Sequence, residues 1–206
     1  MPSLVIIGFP VSTYVRAVRM LCEEKGVPYV LDPAEPHSRA VNALHPYGKV
    51  PGMRHGRTEL FESKAIATYI DRRFPGRKLL PEDALRAAEA EKWIAFTNHH
   101  VYPTMIHGYV IPCMDAGSNR PDARQVADAM PDIEKQTRIL DRALGATGYL
   151  AGRGLTFADL NLAPIVNYTR MFEDGTSVIA RARNVGAWLE RITRRRSWLK
   201  TEPPEA

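Results

Sequence analysis

The chain has 206 residues, 45% of them hydrophobic and 25% charged, with a formal net charge of +5 at pH 7. That length can bury one large core or two smaller ones, and the composition excludes a disordered or fibrous chain. No run approaches the ~20 apolar residues of a membrane span. The opening MPSLVIIGFP also lacks the basic region and long apolar core of a secretory signal, so a cytoplasmic protein with no membrane partner is expected.

Leu4 to Ile7 is a short apolar run ended by Gly8, which predicts a buried strand. Ser12 opens a segment with apolar residues at Val15, Val18, Leu21 and Cys22, the spacing of an amphipathic helix, stopped at Gly26 and Pro28. Tyr29 to Leu31 reads as a second strand and Ala40 to Leu44 as a short helix. Val50 to Met53 and Thr58 to Phe61 read as a strand pair turning at His55 and Gly56. Ser63 then starts a helix with Ile66, Tyr69, Ile70 and Phe74 on its core face, closed by Pro75 and Gly76.

From Pro81 onward strand signals vanish. Leu85 to Ile111 predicts a long helix with a kink at Pro103, and Val126, Met130, Ile133, Thr137, Leu140 and Leu144 predict a second, ending near Gly145 and Gly148. Thr156 to Asp159 has capping-box character, with Asp in the place of Glu or Gln, ahead of the run Leu160 to Met171. A last helix carries Val185, Trp188, Leu189 and Ile192 on one side. Strands grouped first and helices grouped second imply an α/β domain of βαβ then ββα order, residues 1–76. A linker from Gly76 to Asp83 joins it to an all-helical domain, residues 84–206.

Cys22 and Cys113 are far apart and lack metal-ligand spacing, so neither a disulfide framework nor a zinc site is expected. His99 and His100 are adjacent and cannot share one helix face, and no metal is proposed. Basic residues are scattered except for Arg191, Arg194, Arg195 and Arg196, which read as a solvated helix face. Only Trp198 lies near them, and nucleic-acid binding, which needs interleaved stacking aromatics, is not expected.

Three stretches carry chemistry. The first is Gly8-Phe9-Pro10-Val11-Ser12-Thr13-Tyr14-Val15-Arg16-Ala17-Val18, with a hydroxyl between a strand and a helix. Taken alone, Ser12 is an ordinary N-cap. Thioredoxin-like redox enzymes carry C-x-x-C at this turn, and Ser12-Thr13-Tyr14-Val15 offers no such nucleophile. The second is His45-Pro46-Tyr47-Gly48-Lys49-Val50-Pro51, and the third is Phe61-Glu62-Ser63-Lys64-Ala65-Ile66, where Ser63 reads as a helix N-cap. Singly each is generic.

In this order the three resemble the cytosolic glutathione transferases, of the serine type found in the phi and theta classes, and the resemblance spans the chain. Tyrosine-type enzymes place their tyrosine where Ile6-Ile7-Gly8-Phe9 stands here. The resemblance implies a thioredoxin-like N-terminal domain, an all-helical C-terminal domain, and glutathione as co-substrate. Ser12 is then the catalytic donor to the glutathione sulfur, with Thr13 as the alternative one residue on. The Val50-Pro51 peptide is expected to be cis, with the Val50 backbone pairing with the cysteinyl part of the peptide and Lys49 with its glycine carboxylate. Glu62 is expected to pair with the γ-glutamyl ammonium, and Ser63 with free helix N–H groups to hold the γ-glutamyl carboxylate. His37, or Arg39 in its stead, contacts the glycine carboxylate in this reading.

By the same resemblance the electrophile is small and apolar, its site lies between the domains with Phe9, Tyr102, Ile106, His107 and Tyr109 as candidates, and the protein is a homodimer. Asp159 is structural. Conjugation, peroxide reduction by the same thiolate, and a non-catalytic glutathione or apolar-ligand binding protein of the same fold remain open at this point.

Overall fold

The run Leu4–Ile7 forms the central strand of the first domain because its side chains can be covered on both faces of a sheet. In the computed structural model, which describes residues 3–114 and 123–204, this strand, β1 (Leu4–Ile7), buries Leu4, Ile6 and Ile7. β1 runs parallel to β2 (Tyr29–Asp32) and antiparallel to β3 (Gly52–His55), which pairs antiparallel with β4 (Thr58–Phe61). The order is β2-β1-β3-β4. The register sets Ile7 opposite Asp32 and Gly52, and Gly52 opposite Phe61. One end of the sheet therefore gathers the residues after Ile7, after Asp32, before Gly52 and after Phe61.

The helices of this domain follow the sequence pattern closely. α1 (Thr13–Lys25) buries Val15, Val18, Leu21 and Cys22 and ends at Gly26, whose left-handed φ of 69° lets its N–H reach the Cys22 and Glu23 carbonyls. α2 (Arg39–Asn42) starts one residue earlier than expected, at a Ser38 cap. α3 (Ser63–Arg73) buries Ile66, Ala67 and Ile70. β3 begins at Gly52 rather than Val50, since Pro51 has no N–H to give a ladder. Because His55 pairs with Thr58, the turn falls on Gly56 and Arg57.

The first compact unit comprises the chain up to Leu80 and again from Thr193 onward, and Pro81–Ile192 forms the second. Within the first unit a buried ion pair fixes the chain after α3. The Lys25 ammonium lies 3.1 Å from Asp71, with side chains 0% and 2% exposed, and donates to the Arg77 carbonyl at 2.9 Å. Asp71 in turn accepts the Leu79 N–H at 2.9 Å. The C-terminal segment docks on α1. Arg195 forks both carboxylate oxygens of Glu24 at 2.6 Å, and the Arg16 guanidinium sits 3.6 Å over the Trp198 ring. Arg195 is thus no member of a solvated face, contrary to the reading of that cluster. Arg191, Arg194 and Arg196 are exposed as that reading expects, Arg191 also donating to the Gly148 carbonyl at 2.6 Å within the second unit.

In the second unit α4 (Ala84–Phe96) is capped by Asp83 and runs on through two π-helical stretches, Thr97–Val101 and Pro103–Val110, into α5 (Ile111–Met114). The irregularity expected at Pro103 takes this form. The Tyr102 and Ile111 N–H groups reach five residues back, to the Thr97 and Ile106 carbonyls, around a proline that lacks its own N–H. α6 (Ala123–Thr147) buries Ile133, Leu140 and Leu144. α7 (Phe157–Thr169) is almost wholly buried, and α8 (Glu173–Arg181) leads into α9 (Arg183–Thr193), whose inner face is Val185, Trp188, Leu189 and Ile192. Asp159 accepts from the Thr156 N–H and hydroxyl, the Leu150 N–H and the Trp188 indole at 2.9 to 3.0 Å. Burial nevertheless pushes its carboxyl above the usual range. Among the described residues no helix is long and apolar enough to cross a membrane.

Candidate active site

Ser12 lies at the sheet end defined by Ile7, reached through Gly8-Phe9-Pro10-Val11. It is the N-cap of α1, with φ −62° and ψ 127°, and its hydroxyl oxygen accepts the Val15 N–H at 3.4 Å. The hydroxyl proton has no acceptor among the described residues, so capping and donation are compatible in one side chain. No acidic residue occupies the first turn of α1, which leaves its positive end unneutralised. Thr13 is 4% exposed and belongs to the helix proper, whereas Ser12 is half-buried.

The Val50–Pro51 peptide is cis, and Val50 stands beside the Ser12 loop. A methyl group on Gly8 would fall 2.6 Å from a Val15 methyl and 3.0 Å from Val50 Cβ. The His37 N–H donates to the Gly48 carbonyl at 2.8 Å, which brings the exposed His37 alongside exposed Lys49, and Asn42 Nδ2 donates to the His37 carbonyl at 2.7 Å. Arg39 is exposed at the start of α2.

Across the sheet end, Glu62 and Ser63 follow β4. Here the capping expectation is corrected. Glu62, not Ser63, holds the cap position of α3, at φ 68° and ψ 117°, and no side chain caps this helix. Ser63 is already the first helical residue, and its hydroxyl makes no hydrogen bond among the described residues. The first turn of α3 therefore lacks the side-chain acceptor that Ser12 gives α1 and Ser38 gives α2.

One residue of the site escaped the sequence reading. His45 stands in the sequence only as the first residue of the stretch His45 to Pro51, yet it is buried, accepts the Tyr47 N–H on Nδ1 at 3.0 Å and places Nε2 3.5 Å from Glu62 Oε1. Of the electrophile candidates, Phe9 is half-buried in the first unit. In the second, Ile106 and Tyr109 belong to the core, with the Tyr109 hydroxyl accepting the Gly175 N–H at 2.7 Å. Tyr102 is half-buried and packs edge-on to exposed His107 at 5.1 Å. The two cysteines are free, and burial pushes both thiols above their ordinary range.

Residues 6–78 match the family model described as glutathione S-transferase, N-terminal domain, and residues 102–196 the one described as glutathione S-transferase, C-terminal domain. Glutathione S-transferase 3 of Zea mays is 30% identical over 211 residues, covering 98% of this chain and 94% of that protein. The crystal structure of glutathione transferase F7 from Populus trichocarpa superposes with a TM-score of 0.87 at 29% identity, covering 96% of this chain and 97% of that one. A structure of glutathione S-transferase-I bound with lactoylglutathione gives 0.84 at 25% identity, covering 98% of each. Two domain matches in order along one chain, with relatives that share nearly its whole length and its fold, place this chain in the glutathione S-transferase family, as a glutathione-conjugating enzyme.

Proposed function

We propose that the chain is a serine-type transferase of phi- or theta-like class, in which Ser12 donates its hydroxyl hydrogen to the sulfur of glutathione and stabilises the thiolate. The observation that carries this reading is the unclaimed Ser12 proton at the positive end of α1, whose first turn holds no acidic residue, on the sheet end that also presents Val50 and Glu62. A free thiol ionises near pKa ~8.5, and lowering that by two units requires about 2.7 kcal/mol of preference for the anion. A charge-assisted hydrogen bond together with a helix N-terminus is of that order. The thiolate then attacks an electrophilic carbon.

The rest of the peptide is assigned along the same edge. The Val50 backbone pairs with the cysteinyl residue, Lys49 and His37 face the glycine carboxylate, with Arg39 as the alternative to His37, and Glu62 meets the γ-glutamyl ammonium. The open first turn of α3 with Ser63 receives the γ-glutamyl carboxylate, which the missing side-chain cap supports. The electrophile is small and apolar, in keeping with the Phe9-Pro10-Val11 run that leads into Ser12. Reduction of organic hydroperoxides by the same thiolate belongs to the proposal, as does a detoxification role.

A cytoplasmic setting is supported by the two unpaired cysteines. A homodimer also belongs to the proposal, an isologous contact being the commonest way for a chain to cover exposed apolar surface.

Retention on immobilised glutathione followed by a chlorodinitrobenzene conjugation assay tests the reading. Retention with turnover is expected. Retention without turnover favours a binding protein of the same fold, and loss of both overturns the site. A cumene hydroperoxide assay examines the peroxidase part.

A further inference from the structure

We infer that His45 is a positioning residue for glutathione, holding the Glu62 carboxylate in place through its Nε2–H. The inference rests on the proposed glutathione site and deepens it.

His45 is 4% exposed and is pinned by two neighbours. Its Nδ1 accepts the Tyr47 N–H at 3.0 Å, and its ring packs against Phe61 with centroids 4.8 Å apart. A ring nitrogen that accepts a hydrogen bond carries no proton, so the Tyr47 N–H selects the neutral tautomer with its hydrogen on Nε2. That nitrogen lies 3.5 Å from Glu62 Oε1.

Glu62 needs such a partner. Its side chain is 68% exposed and makes no cap, and its backbone is held at φ 68°, where a non-glycine residue is strained. Free in solvent it would sample many rotamers and lose that freedom on binding a cation. A buried, ring-locked N–H 3.5 Å from Oε1, a dipole contact longer than an ordinary hydrogen bond, biases the carboxylate beforehand and leaves Oε2 for an ammonium group. The strand register brings the two residues together, because Phe61 pairs with Gly52 and so returns the chain to the bend that precedes β3.

The test uses the full chain, calorimetric titration with glutathione and conjugation kinetics. His45→Phe and His45→Asn remove the donor at Nε2, and His45→Gln keeps an amide donor. Each is measured alone and with Glu62→Gln, and with glutathione lacking the γ-glutamyl amino group as a second ligand. His45→Phe and His45→Asn, which place no donor at the Nε2 position, should raise Kd and KM for glutathione about three- to fivefold, a size set by the solvent exposure of Glu62, with kcat at saturating glutathione retained. His45→Gln should recover part of the loss, and the effect should vanish beside Glu62→Gln and with the des-amino ligand. An equal loss in those two controls, or no loss in any variant, overturns the inference while leaving the glutathione site intact. A native protein that fails to bind glutathione overturns the site itself, and the inference with it.

Discussion

Gly8 and Val50 are packed so closely that a Cβ on Gly8 would stand 3.0 Å from the Val50 Cβ, and only 2.6 Å from a Val15 methyl. The Ser12 loop and the bend before β3 are held in register by the absence of a side chain. Gly8→Ala should therefore destabilise the protein by about 1–3 kcal/mol through overpacking and also weaken glutathione binding, because the displaced Val50 backbone is part of the proposed peptide edge. Thermal unfolding and calorimetry check both. An unchanged melting temperature would show that the neighbours yield freely.

Ser63→Ala separates capping from ligand binding. Since Ser63 caps nothing, its loss should leave stability within about 0.5 kcal/mol of the native value, where removal of a true N-cap costs about 1 kcal/mol. The Kd for glutathione should rise about fivefold through the lost hydroxyl contact to a carboxylate. A destabilised variant with native affinity would reverse the assignment.

Acid stability should depend on Glu24. Burial raises its carboxyl, but the hydrogen bonds from Arg195 and Ser197 and the charges of Arg195 and Arg77 outweigh that and hold it below the usual glutamate range. A folded-state pKa below the unfolded one gives stability that is present above the unfolded value of about 4.3 and lost as the pH falls through the folded one. Glu24→Gln should thus cost about 2 kcal/mol at pH 7 and converge on the native protein in strong acid. Denaturant midpoints across that range provide the check, and a pH-independent difference would sink the idea.

Asp159→Ala should be the most damaging of these substitutions. It strands the Trp188 indole, the Leu150 N–H and the Thr156 donors in a site from which water is excluded, a loss of about 3–5 kcal/mol. Tryptophan fluorescence during urea unfolding should show an early transition. Residual folded enzyme should keep its affinity for glutathione, since Asp159 lies in the helical unit and touches no proposed ligand contact.

Periodicity carried much of this architecture into view. Val185, Trp188, Leu189 and Ile192 are buried as their spacing indicates, and β1 falls where an apolar run meets Gly8. Local signals stop short wherever the outcome depends on φ or on partners far along the chain. Ser63 looks like a cap in the sequence, but the left-handed backbone of Glu62 moves the cap one place back. His45 meets Glu62 only through the β3 to β4 register, which no composition rule encodes. Arg195 reads as one arginine of a solvated cluster until Glu24, 171 positions away, is seen to accept it. The three site stretches were legible because each sits at a strand end, while their convergence was visible only through resemblance.

The central claim is that Ser12 stabilises the glutathione thiolate, and the most direct measurement is the ultraviolet absorbance of bound glutathione thiolate as a function of pH in native, Ser12→Ala and Thr13→Ala proteins. The account predicts that the ionisation midpoint of bound glutathione rises toward its solution value in Ser12→Ala alone, with conjugation falling by at least about tenfold while glutathione affinity is largely kept. An unchanged midpoint in Ser12→Ala, with the shift appearing in Thr13→Ala instead, would contradict it.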